Sequence, residues 1–512
     1  MRVIRAAATF VCLVLLVACV QLPALPELAP EHALALAADA PLDVATATLE
    51  SQHPGQSAFR LVVEGNEAFV SRMQSARMAA RSLDVQSYIW HADATGRFLA
   101  HELLLAADRG VRIRVLLDDL DARQQNDAIM ALAAHPNIHV RLFNPFASRR
   151  GTLRFVVEAA TSFGRINRRM HNKSWIADNR LAIVGGRNIG DEYFAASDAV
   201  NFIDLDFAMI GPVVRQASAA FDKYWNSPSA YPIEALNPEP VSPDTADRLR
   251  QQLLSRAEEA AHSRYAGELR ADEAIQRMVR GEWPMEWARD FQFVSDDPRK
   301  VTMSKRDMDK THVGAALAPM IETAQTRVTI ISPYFVPGAT VTAKLTDATR
   351  TGKEIRVLTN SLVANDVAAV HGGYSRHRQV LAEGGVRIWE LKPSSDAEVN
   401  TSLVGSSGAA LHTKAFVVDT RTLFVGSYNL DPRSTWLNCE QGVLVDNAVL
   451  ARQLEQLFDR QTDGERSWRV SIEAGKLRWT DDTEQLHREP RASLGRRLQA
   501  WLARFLRLDA QL

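Results

Sequence analysis

Two stretches of the chain, HNKSWIAD at residues 171–178 and HTKAFVVD at residues 412–419, share the spacing H-x-K-x-x-x-x-D. In each copy an Asn follows fifteen residues after the Lys, in GGRN at 185–188 and in GSYN at 426–429. If the His-x-Lys segment is a β-strand, its His and Lys point to the same face, because side chains alternate along a strand. One such segment carries little information, since exposed His and Lys are common. Two complete copies predict a single site that both copies build.

The copies belong to a longer internal duplication. The tetrapeptide IRVL occurs at 113–116 and again at 355–358, and VRLFNP at 140–145 corresponds to VRIWEL at 386–391. All matched segments, including the H-x-K copies, are separated by 237 to 246 residues and keep the same order. A common offset and order indicate a duplicated unit rather than chance matches.

Each half alternates short apolar runs with amphipathic segments. Residues 113–117, 182–184 and 423–425 are typical of buried strands, and residues 100–108 and 341–350 are typical of helices. This alternation predicts an α/β fold of two similar halves, each a mainly parallel or mixed sheet flanked by helices. We expect the halves to pack as a pseudo-twofold pair, with the active site at their junction.

The mechanism that the repeated residues favour follows from charge. Lysines and amides gathered around one space suit an anionic group such as phosphate, and they can stabilise negative charge on its oxygens without a metal. We find no paired Cys/His spacing of a zinc site, and we expect no cofactor. A reacting His also needs an acceptor for its second ring nitrogen. The candidates are catalytic His171, Lys173, Asp178, His412, Lys414 and Asp419, phosphate-binding Asn188, Asn429 and Ser427, and His-orienting Asp206 and Glu440.

Asp178 and Asp419 allow two interpretations. Each follows an apolar run and could end a strand in a turn, or it could take part in the chemistry. The candidates for orienting the two His residues, Asp206 and Glu440, precede apolar runs at corresponding positions of the repeat.

The paired H-x-K-x-x-x-x-D with a following G-[GS]-x-N resembles the signature of the phospholipase D superfamily. GSYNLDPRS at 426–434 is similar to that family's full form. The first copy departs from it, with GGRNIGDEYF from 185 and FIDLDFAMIGPVV from 202. Together with SYIWHAD from 87, that copy is similar to the bacterial cardiolipin synthase C-like branch. The resemblance covers residues 55–475.

The resemblance implies an enzyme that moves a phosphatidyl group, through a phosphohistidine, to a hydroxyl of phosphatidylglycerol. Phosphatidylethanolamine or phosphatidylglycerol is the implied donor. A phospholipase D that releases phosphatidic acid would use the same residues, and a phosphodiesterase or nuclease is a third alternative. Family precedent implies His171 as nucleophile and His412 as acid and base; the residues alone do not distinguish them. The implied partners are phospholipids and a membrane surface, and an unknown protein is a further candidate.

Composition and the chain ends add further expectations. A net charge of −1 and a pI near 6.9 argue against a nucleic-acid partner. The sequence divides into six parts: 1–19 signal peptide with lipobox, 20–54 tether, 55–235 first phospholipase D-like domain, 236–300 helical connection, 301–475 second such domain, and 476–512 basic amphipathic tail.

The apolar run at residues 6–20 is shorter than the ~20 residues of a membrane-spanning helix and has the length of a signal-peptide core. It ends in LVAC at 16–19, which resembles a bacterial lipobox, and ALA at 35–37 offers an alternative cleavage site. Lipidation of Cys19 would leave Cys439 without a disulfide partner. We therefore expect a lipoprotein in the bacterial cell envelope, anchored to a membrane and facing the periplasm.

The C-terminal tail has apolar residues at helical spacing, with arginines at other positions. Such a helix could lie in a membrane interface or could pack on the core as a terminal helix. The residues concerned are Leu494, Leu498, Trp501, Leu502 and Phe505, and Arg497, Arg504 and Arg507.

Overall fold

The computed structural model describes residues 21–149, 151–237, 239, 241–304, 307, 313–365, 367–393 and 411–506. The predicted signal peptide, with Cys19, and Arg507 at the other end lie outside the described residues. None of the helices in the described ranges combines the length and apolar character needed to cross a bilayer.

The first half is built on a nine-stranded sheet with the order β8-β4-β3-β2-β5-β6-β7-β1-β9. Its strands are β1 Ser57–Val62, β2 Ser82–Ser87, β3 Arg112–Asp118, β4 Ile138–Phe143, β5 Ser174–Ala177, β6 Leu181–Gly185, β7 Asp206–Ile210, β8 Ala230–Pro232 and β9 Glu286–Ala288.

The second half is built on a ten-stranded sheet with the order β10-β16-β15-β14-β11-β12-β13-β17-β18-β19. Its strands are β10 Phe291–Ser295, β11 Arg327–Ile331, β12 Glu354–Asn360, β13 Arg387–Leu391, β14 Ala415–Val418, β15 Thr422–Gly426, β16 Gln441–Asp446, β17 Ser467–Glu473, β18 Lys476–Thr480 and β19 Gln485–Leu486.

The helices cover the faces of both sheets. They are α1 Pro41–Gln52, α2 Gly65–Met78, α3 Ala94–Asp108, α4 Asp119–Ala122, α5 Asn126–Ala133, α6 Thr152–Thr161, α7 Phe163–Ile166, α8 Pro212–Trp225, α9 Ile233–Leu236, α10 Pro243–Ala261, α11 Arg264–Ala271, α12 Glu273–Val279, α13 Val313–Glu322, α14 Gly338–Arg350, α15 Ala368–Glu383, α16 Pro432–Trp436, α17 Ala448–Gln461 and α18 Leu494–Leu506. Short 3₁₀ turns occur at Arg123–Gln125, Asp191–Tyr193 and Pro298–Val301.

The two sheets repeat one strand order, which confirms the duplication. The run β4-β3-β2-β5-β6-β7 of the first half corresponds to β13-β12-β11-β14-β15-β16 of the second. In both, the first three strands of the run are parallel and the rest pair antiparallel. The sheets are therefore mixed, and antiparallel pairs outnumber the parallel pairs expected from strand–helix alternation.

A shared core joins the halves. Phe207 and Val184 of the first sheet belong to the same buried apolar cluster as Val425 and Val443 of the second. Apolar burial of this kind holds the two sheets in fixed relation. The segments that carry His171 and His412 meet at this junction.

The structure revises three of the predicted boundaries. The predicted tether contains α1. Before α1, the amides of Glu31 and Ala33 donate to the side chains of Asn226 and Asp222, so the described part of the tether packs on the first half. The predicted helical connection ends in β9 and β10, one in each sheet. The predicted tail starts with β18 and β19, which extend the second sheet before α18 begins.

Candidate active site

The two His-x-Lys segments lie just outside the sheets. β5 begins at Ser174 and β14 begins at Ala415, each directly after the Lys of its segment. The expectation that His and Lys share a face of one strand is therefore wrong in detail. Instead, each Lys ammonium folds back onto the carbonyl of its own His, at 2.6 Å from Lys173 Nζ to His171 O and in the equivalent contact of Lys414 with His412. Both lysines are buried.

Each His segment is held by the opposite half. The His171 amide donates to the carbonyl of Cys439 at 2.8 Å, and the His412 amide donates to that of Ile203 at 2.8 Å. Isolated bridges at the neighbouring residues, Met170 with Cys439 and Ile203 with Leu411, extend these contacts. The two histidines are thereby brought to one place by a reciprocal exchange of backbone hydrogen bonds.

His171 is oriented by two acceptors from the second half. Its Nδ1 lies 2.9 Å from Glu440 Oε2 and 3.2 Å from the carbonyl oxygen of Ser427. A carbonyl can only accept, so Nδ1 carries the proton in this arrangement. In the neutral ring this leaves the lone pair on Nε2, the nitrogen available to a substrate.

His412 is oriented by Asp204 of the first half, at 2.6 Å from Nδ1 to Oδ2. The prediction of Asp206 for this role is wrong. The strand register explains the difference: Gly185 pairs with Asp206 in the first sheet, as Gly426 pairs with Gly442 in the second. The residue two positions before Gly442 is Glu440, and its counterpart is Asp204.

Asp206 has a separate structural role. Its carboxylate lies 3.0 Å from Arg72 Nη2 and 3.4 Å from Arg187 Nη1, and all three side chains are buried. Arg187 also donates to the Asp204 carbonyl at 2.7 Å. Asp206 thus neutralises two cations beneath the segment that presents Asp204.

The predicted phosphate-binding side chains are buried near the histidines but have varied partners. Asn188 donates to the Tyr193 hydroxyl at 2.8 Å, whereas the side-chain oxygen of Asn429 has no hydrogen-bond partner among the described residues. The Ser427 hydroxyl donates to Glu440 Oε2 at 2.5 Å and accepts from the Gln441 amide. Ser427 therefore fixes the carboxylate behind His171, which corrects its prediction as a phosphate ligand.

The site is rich in cations that destabilise one another. Burial, followed by the charges of Lys173 and Lys414, holds the pKa of His171 well below its usual value. Burial and Lys414 also lower the pKa of His412, although Asp204 opposes the shift. Burial lowers the pKa of Lys173 strongly, with Lys414 adding to the effect. An anion between these groups would reverse such shifts, because it favours their charged forms.

The two carboxylates differ in charge. Burial raises the pKa of Glu440 to about 7, despite the opposing attraction of Lys173. Burial would also raise the pKa of Asp204, but attraction to His412 and the hydrogen bond from it outweigh burial, so the pKa stays below its usual value. Near neutral pH, His412 therefore faces an ionised carboxylate, whereas His171 faces one that is partly protonated.

Asp178 and Asp419 lie at the far ends of β5 and β14, and a strand of four residues spans about 13 Å. Asp178 accepts from the amides of residues 80–82, and Asp419 from those of 325–327. Both have positive φ, which Asp tolerates in turns. The catalytic alternative is therefore wrong, and both residues tie a turn to the start of a neighbouring strand.

Sequence reasoning missed the aromatic walls of the site. The Tyr88 ring meets the His171 ring edge-on, with centroids 5.0 Å apart. Tyr193 meets His412 edge-on at 5.3 Å, and Phe202 stacks on it at 5.4 Å. All three lie in stretches already noted for their branch resemblance, SYIWHAD, GDEYF and FIDLDF, so a signal was present without a role attached to it.

A charged cluster lies behind the His412 side of the site. The ligand atoms of His91, Asp93 and Glu192 are within 4.8 Å of one another, which within the described residues is the one grouping that could hold a metal ion. The hydrogen bond that the His91 ring donates to the Glu192 carboxylate at 3.1 Å, against the opposing effect of burial, raises the pKa of His91 to about 9. The cluster is thus an ion pair at neutral pH.

The fold and the paired His-Lys site define the phospholipase D superfamily. A family model described as "Cardiolipin synthase, PLD-like domain" matches residues 69–225 and 317–462. Cardiolipin synthase C of Escherichia coli is 39% identical over 469 residues, covering 90% of this chain and 97% of that protein. An uncharacterized protein of Helicobacter pylori is 32% identical over 430 residues, covering 84% of this chain and 83% of that protein. The chain belongs to the cardiolipin synthase family of PLD-like proteins.

A solved structure supports the same fold. Phosphatidylserine synthase of Haemophilus influenzae aligns with a TM-score of 0.56 over 92% of this chain and 98% of that one. The two sequences are 14% identical, so this likeness concerns the fold alone.

Proposed function

We propose that the protein is a phosphatidyltransferase that makes cardiolipin, with phosphatidylglycerol as acceptor and phosphatidylglycerol or phosphatidylethanolamine as donor. The observation that carries the proposal is the pair of histidines at the junction, each held at Nδ1 by a carboxylate of the opposite half. Such a pair supplies one nucleophile and one proton carrier on either side of a phosphorus atom. The sequence kinship to Escherichia coli cardiolipin synthase C supports the lipid substrates.

The different surroundings of the two histidines support a division of roles between them. His171 is neutral with its lone pair on Nε2, and the partly protonated Glu440 gives little support to an imidazolium there. His412 donates to an ionised Asp204, which stabilises an imidazolium as the Asp of a Ser-His-Asp triad does. His171 is therefore the nucleophile and His412 the acid and base, the same assignment that family precedent implies.

The reaction has two balanced steps. In the first, His171 Nε2 forms a bond to phosphorus as the bond to the donor's headgroup oxygen breaks, and protonated His412 gives that oxygen its proton. In the second, a phosphatidylglycerol hydroxyl gives its proton to neutral His412 while its oxygen bonds phosphorus and the N–P bond breaks. Lys173, Lys414 and the amides of Asn188 and Asn429 stabilise the charge on the non-bridging oxygens.

The C-terminal helix α18 supports work at a membrane surface. It packs through Ala500 and Ala503 against Gly372 of α15, where an added Cβ would meet the Ala500 carbonyl oxygen at 2.6 Å. Its larger apolar residues point outward: Trp501 is 58% exposed and Phe505 is 72% exposed. The helix thus combines the two alternatives, packing on the core through small residues and presenting an apolar face suited to a lipid interface.

Anchoring at the N-terminus is a separate part of the proposal. LVAC at 16–19 supports lipidation of Cys19 and a place in the cell envelope facing the periplasm. The test is metabolic labelling with a fatty acid: the wild-type protein takes up label and Cys19→Ser does not. An unlabelled wild-type protein would contradict the lipoprotein assignment without touching the catalytic one.

The decisive experiment measures which acceptor, a lipid hydroxyl or water, takes the phosphatidyl group from the phosphohistidine. The purified protein is incubated with vesicles of phosphatidylethanolamine and phosphatidylglycerol, and cardiolipin and phosphatidic acid are quantified together. We expect cardiolipin to exceed phosphatidic acid, with neither product formed by His171→Ala. Phosphatidic acid in excess, with ample phosphatidylglycerol present, would identify the protein as a hydrolytic phospholipase D. Repeating the assay with a cell extract tests whether a protein partner supplies the transfer.

A further inference from the structure

A cavity of about 400 Å³ lies in the first half, outside the junction of the two sheets. Its floor is formed by one face of the sheet, and its walls are formed by α3, α5 and α10. Its volume is within the ~300–1,000 Å³ of sites that hold small ligands. The apolar part of the lining includes Val115, Leu117, Ile129, Val140, Leu249 and Leu253.

The polar groups along the cavity are committed elsewhere or lie at its rim. The Asp118 carboxylate accepts from the amides of Met170 and Leu120, and that of Asp121 accepts from the Trp90 amide and from Gln125. The remaining charged lining residues, Arg97 and Arg256, are exposed at the surface. An occupant of the interior therefore meets hydrocarbon walls, which favours an apolar ligand without directional bonds.

The cavity adjoins the candidate catalytic site at Tyr88. The Tyr88 side chain lines the cavity, and its ring also contacts His171. Asp118, at the same end, fixes the amide of Met170, the residue directly before His171. A ligand whose phosphorus is bonded to His171 would thus have the cavity within reach of its non-reacting end.

The helical connection between the two halves forms part of the cavity wall. Leu249 and Leu253 of α10 complete the wall opposite the sheet, and the sequence of the connection indicated no chemistry of its own. Leu253 is buried, so α10 is seated firmly on the first half. The connection therefore supplies one wall of the cavity that adjoins His171 at Tyr88.

We infer that this cavity binds one acyl chain of the phosphatidyl group that is carried on His171. The inference rests on the proposed phosphatidyl transfer and names the subsite that holds the donor while the headgroup leaves and the acceptor enters. Hydrocarbon walls hold such a chain by burial alone, so they retain the covalent intermediate and tolerate variation among acyl chains. The acceptor lipid, by contrast, does not bind in this cavity.

The first test fills the cavity. Ala100→Trp and Ala128→Trp place a large ring at two different lining positions, and Ala134→Trp, an exposed position just beyond α5 that does not line the cavity, is the matched control. Turnover is compared for dipalmitoyl and dihexanoyl phosphatidylglycerol as donors. We expect the two cavity variants to lose at least about tenfold with the long-chain donor, the loss expected if about two methylenes are displaced, and to keep near-normal turnover of the short-chain donor.

Equal losses with both donors, or no loss in either folded cavity variant, would overturn the inference. Circular dichroism and thermal melting of each variant identify one that has failed to fold, and the other cavity variant then decides the outcome.

A second test locates the chain without requiring turnover. Phosphatidylglycerol with a diazirine at the end of one acyl chain is irradiated with the full-length protein in vesicles, and adducts are mapped by mass spectrometry. We expect adducts within residues 88–100, 115–132 and 249–256, lost in Ala128→Trp and kept in Ala134→Trp. Adducts confined to α18, with cardiolipin still formed, would refute the acyl-chain cavity and leave the proposed function intact. Adducts in the cavity without any cardiolipin formed would support the acyl-chain cavity and contradict the proposed function.

Discussion

Two aspartates of the first half, Asp204 and Asp206, are separated by one residue and face different partners. Asp204 bonds His412 across the junction, whereas Asp206 neutralises Arg72 and Arg187 inside the first half. The sequence places both before the same apolar run, and nothing in that run distinguishes them. The choice depends on which strand positions pair across the sheet, which becomes visible only with the register.

Substitution of each aspartate by Asn should affect a different property of the protein. Asp204→Asn keeps the shape but removes the charge behind His412, so we expect turnover to fall by roughly 10²–10⁴ with little change in melting temperature. Asp206→Asn leaves two buried arginines without their carboxylate, so we expect a loss of about 3–5 kcal/mol in the free energy of unfolding. Cardiolipin formation and chemical denaturation measure the two effects. An Asp206→Asn variant of normal stability that has lost turnover would reverse the assignment.

The His91–Glu192 pair predicts a pH-dependent contribution to stability. The pKa of His91 is raised to about 9 in the folded protein, against an ordinary value of 6.5. The folded state therefore binds the proton more tightly, and the pair stabilises the fold fully below pH 6.5 and loses this effect as the pH rises through 9. We expect His91→Gln to melt at a lower temperature than wild type at pH 6 and at a similar temperature near pH 10.

A matched variant tests the cause of that difference. Glu192→Gln removes the partner and should abolish the pH dependence of the effect of His91→Gln. A melting difference that stays constant across this pH range would show that His91 acts through packing rather than through its charge.

At the scale of elements, hydrophobic periodicity predicts the strands and helices whose pattern is set by neighbouring residues. The runs at 113–117, 182–184 and 423–425 are strands, and the helices predicted at 100–108 and 341–350 are present and begin a few residues earlier. The H-x-K segments are not strands of either sheet, because their backbone pairs with the opposite half. Sequence periodicity cannot reveal a partner that is more than two hundred residues away.

Helix α18 shows a second limit of periodicity. Its repeating large apolar residues are the pattern that usually marks the buried face, yet Trp501, Leu502 and Phe505 are exposed and small alanines make the contact with α15. Close packing on Gly372 needs small residues, so the larger ones are left on the outside. Exposed apolar clusters of this kind mark binding surfaces.

The outward face of α18 predicts membrane binding. Trp501→Ser with Phe505→Ser removes two exposed rings that stack at 5.8 Å, so we expect affinity for phosphatidylglycerol vesicles to fall at least about tenfold. Leu254→Ser with Val279→Ser, two exposed apolar residues of the helical connection, is the matched control and should bind normally. Vesicle co-sedimentation of protein lacking its N-terminal anchor measures the difference. Equal binding by all three proteins would show that α18 does not face the lipid.

At the scale of the whole molecule, the active site belongs to neither half. Glu440 of the second half orients His171 of the first, and Asp204 of the first orients His412 of the second. The duplication and the junction site could be predicted, because two copies of one incomplete site imply a shared one. The crossing of the carboxylates could not, since it depends on how the halves dock. A shared apolar core fixes that docking.

This crossing predicts how defective chains behave when mixed. His171→Ala and His412→Ala should each lose roughly 10²–10⁶ in turnover, because one removes the proposed nucleophile and the other the proposed proton carrier. Each variant retains one intact His, but the halves of one chain are joined by a buried core, so a second chain cannot supply the missing half. We therefore expect a mixture of the two variants, co-refolded or co-expressed, to stay as inactive as either alone. Recovery toward a quarter of wild-type activity would instead reveal sites assembled between chains, with halves exchanged in a dimer, and size-exclusion chromatography of the active fraction would then show the larger species.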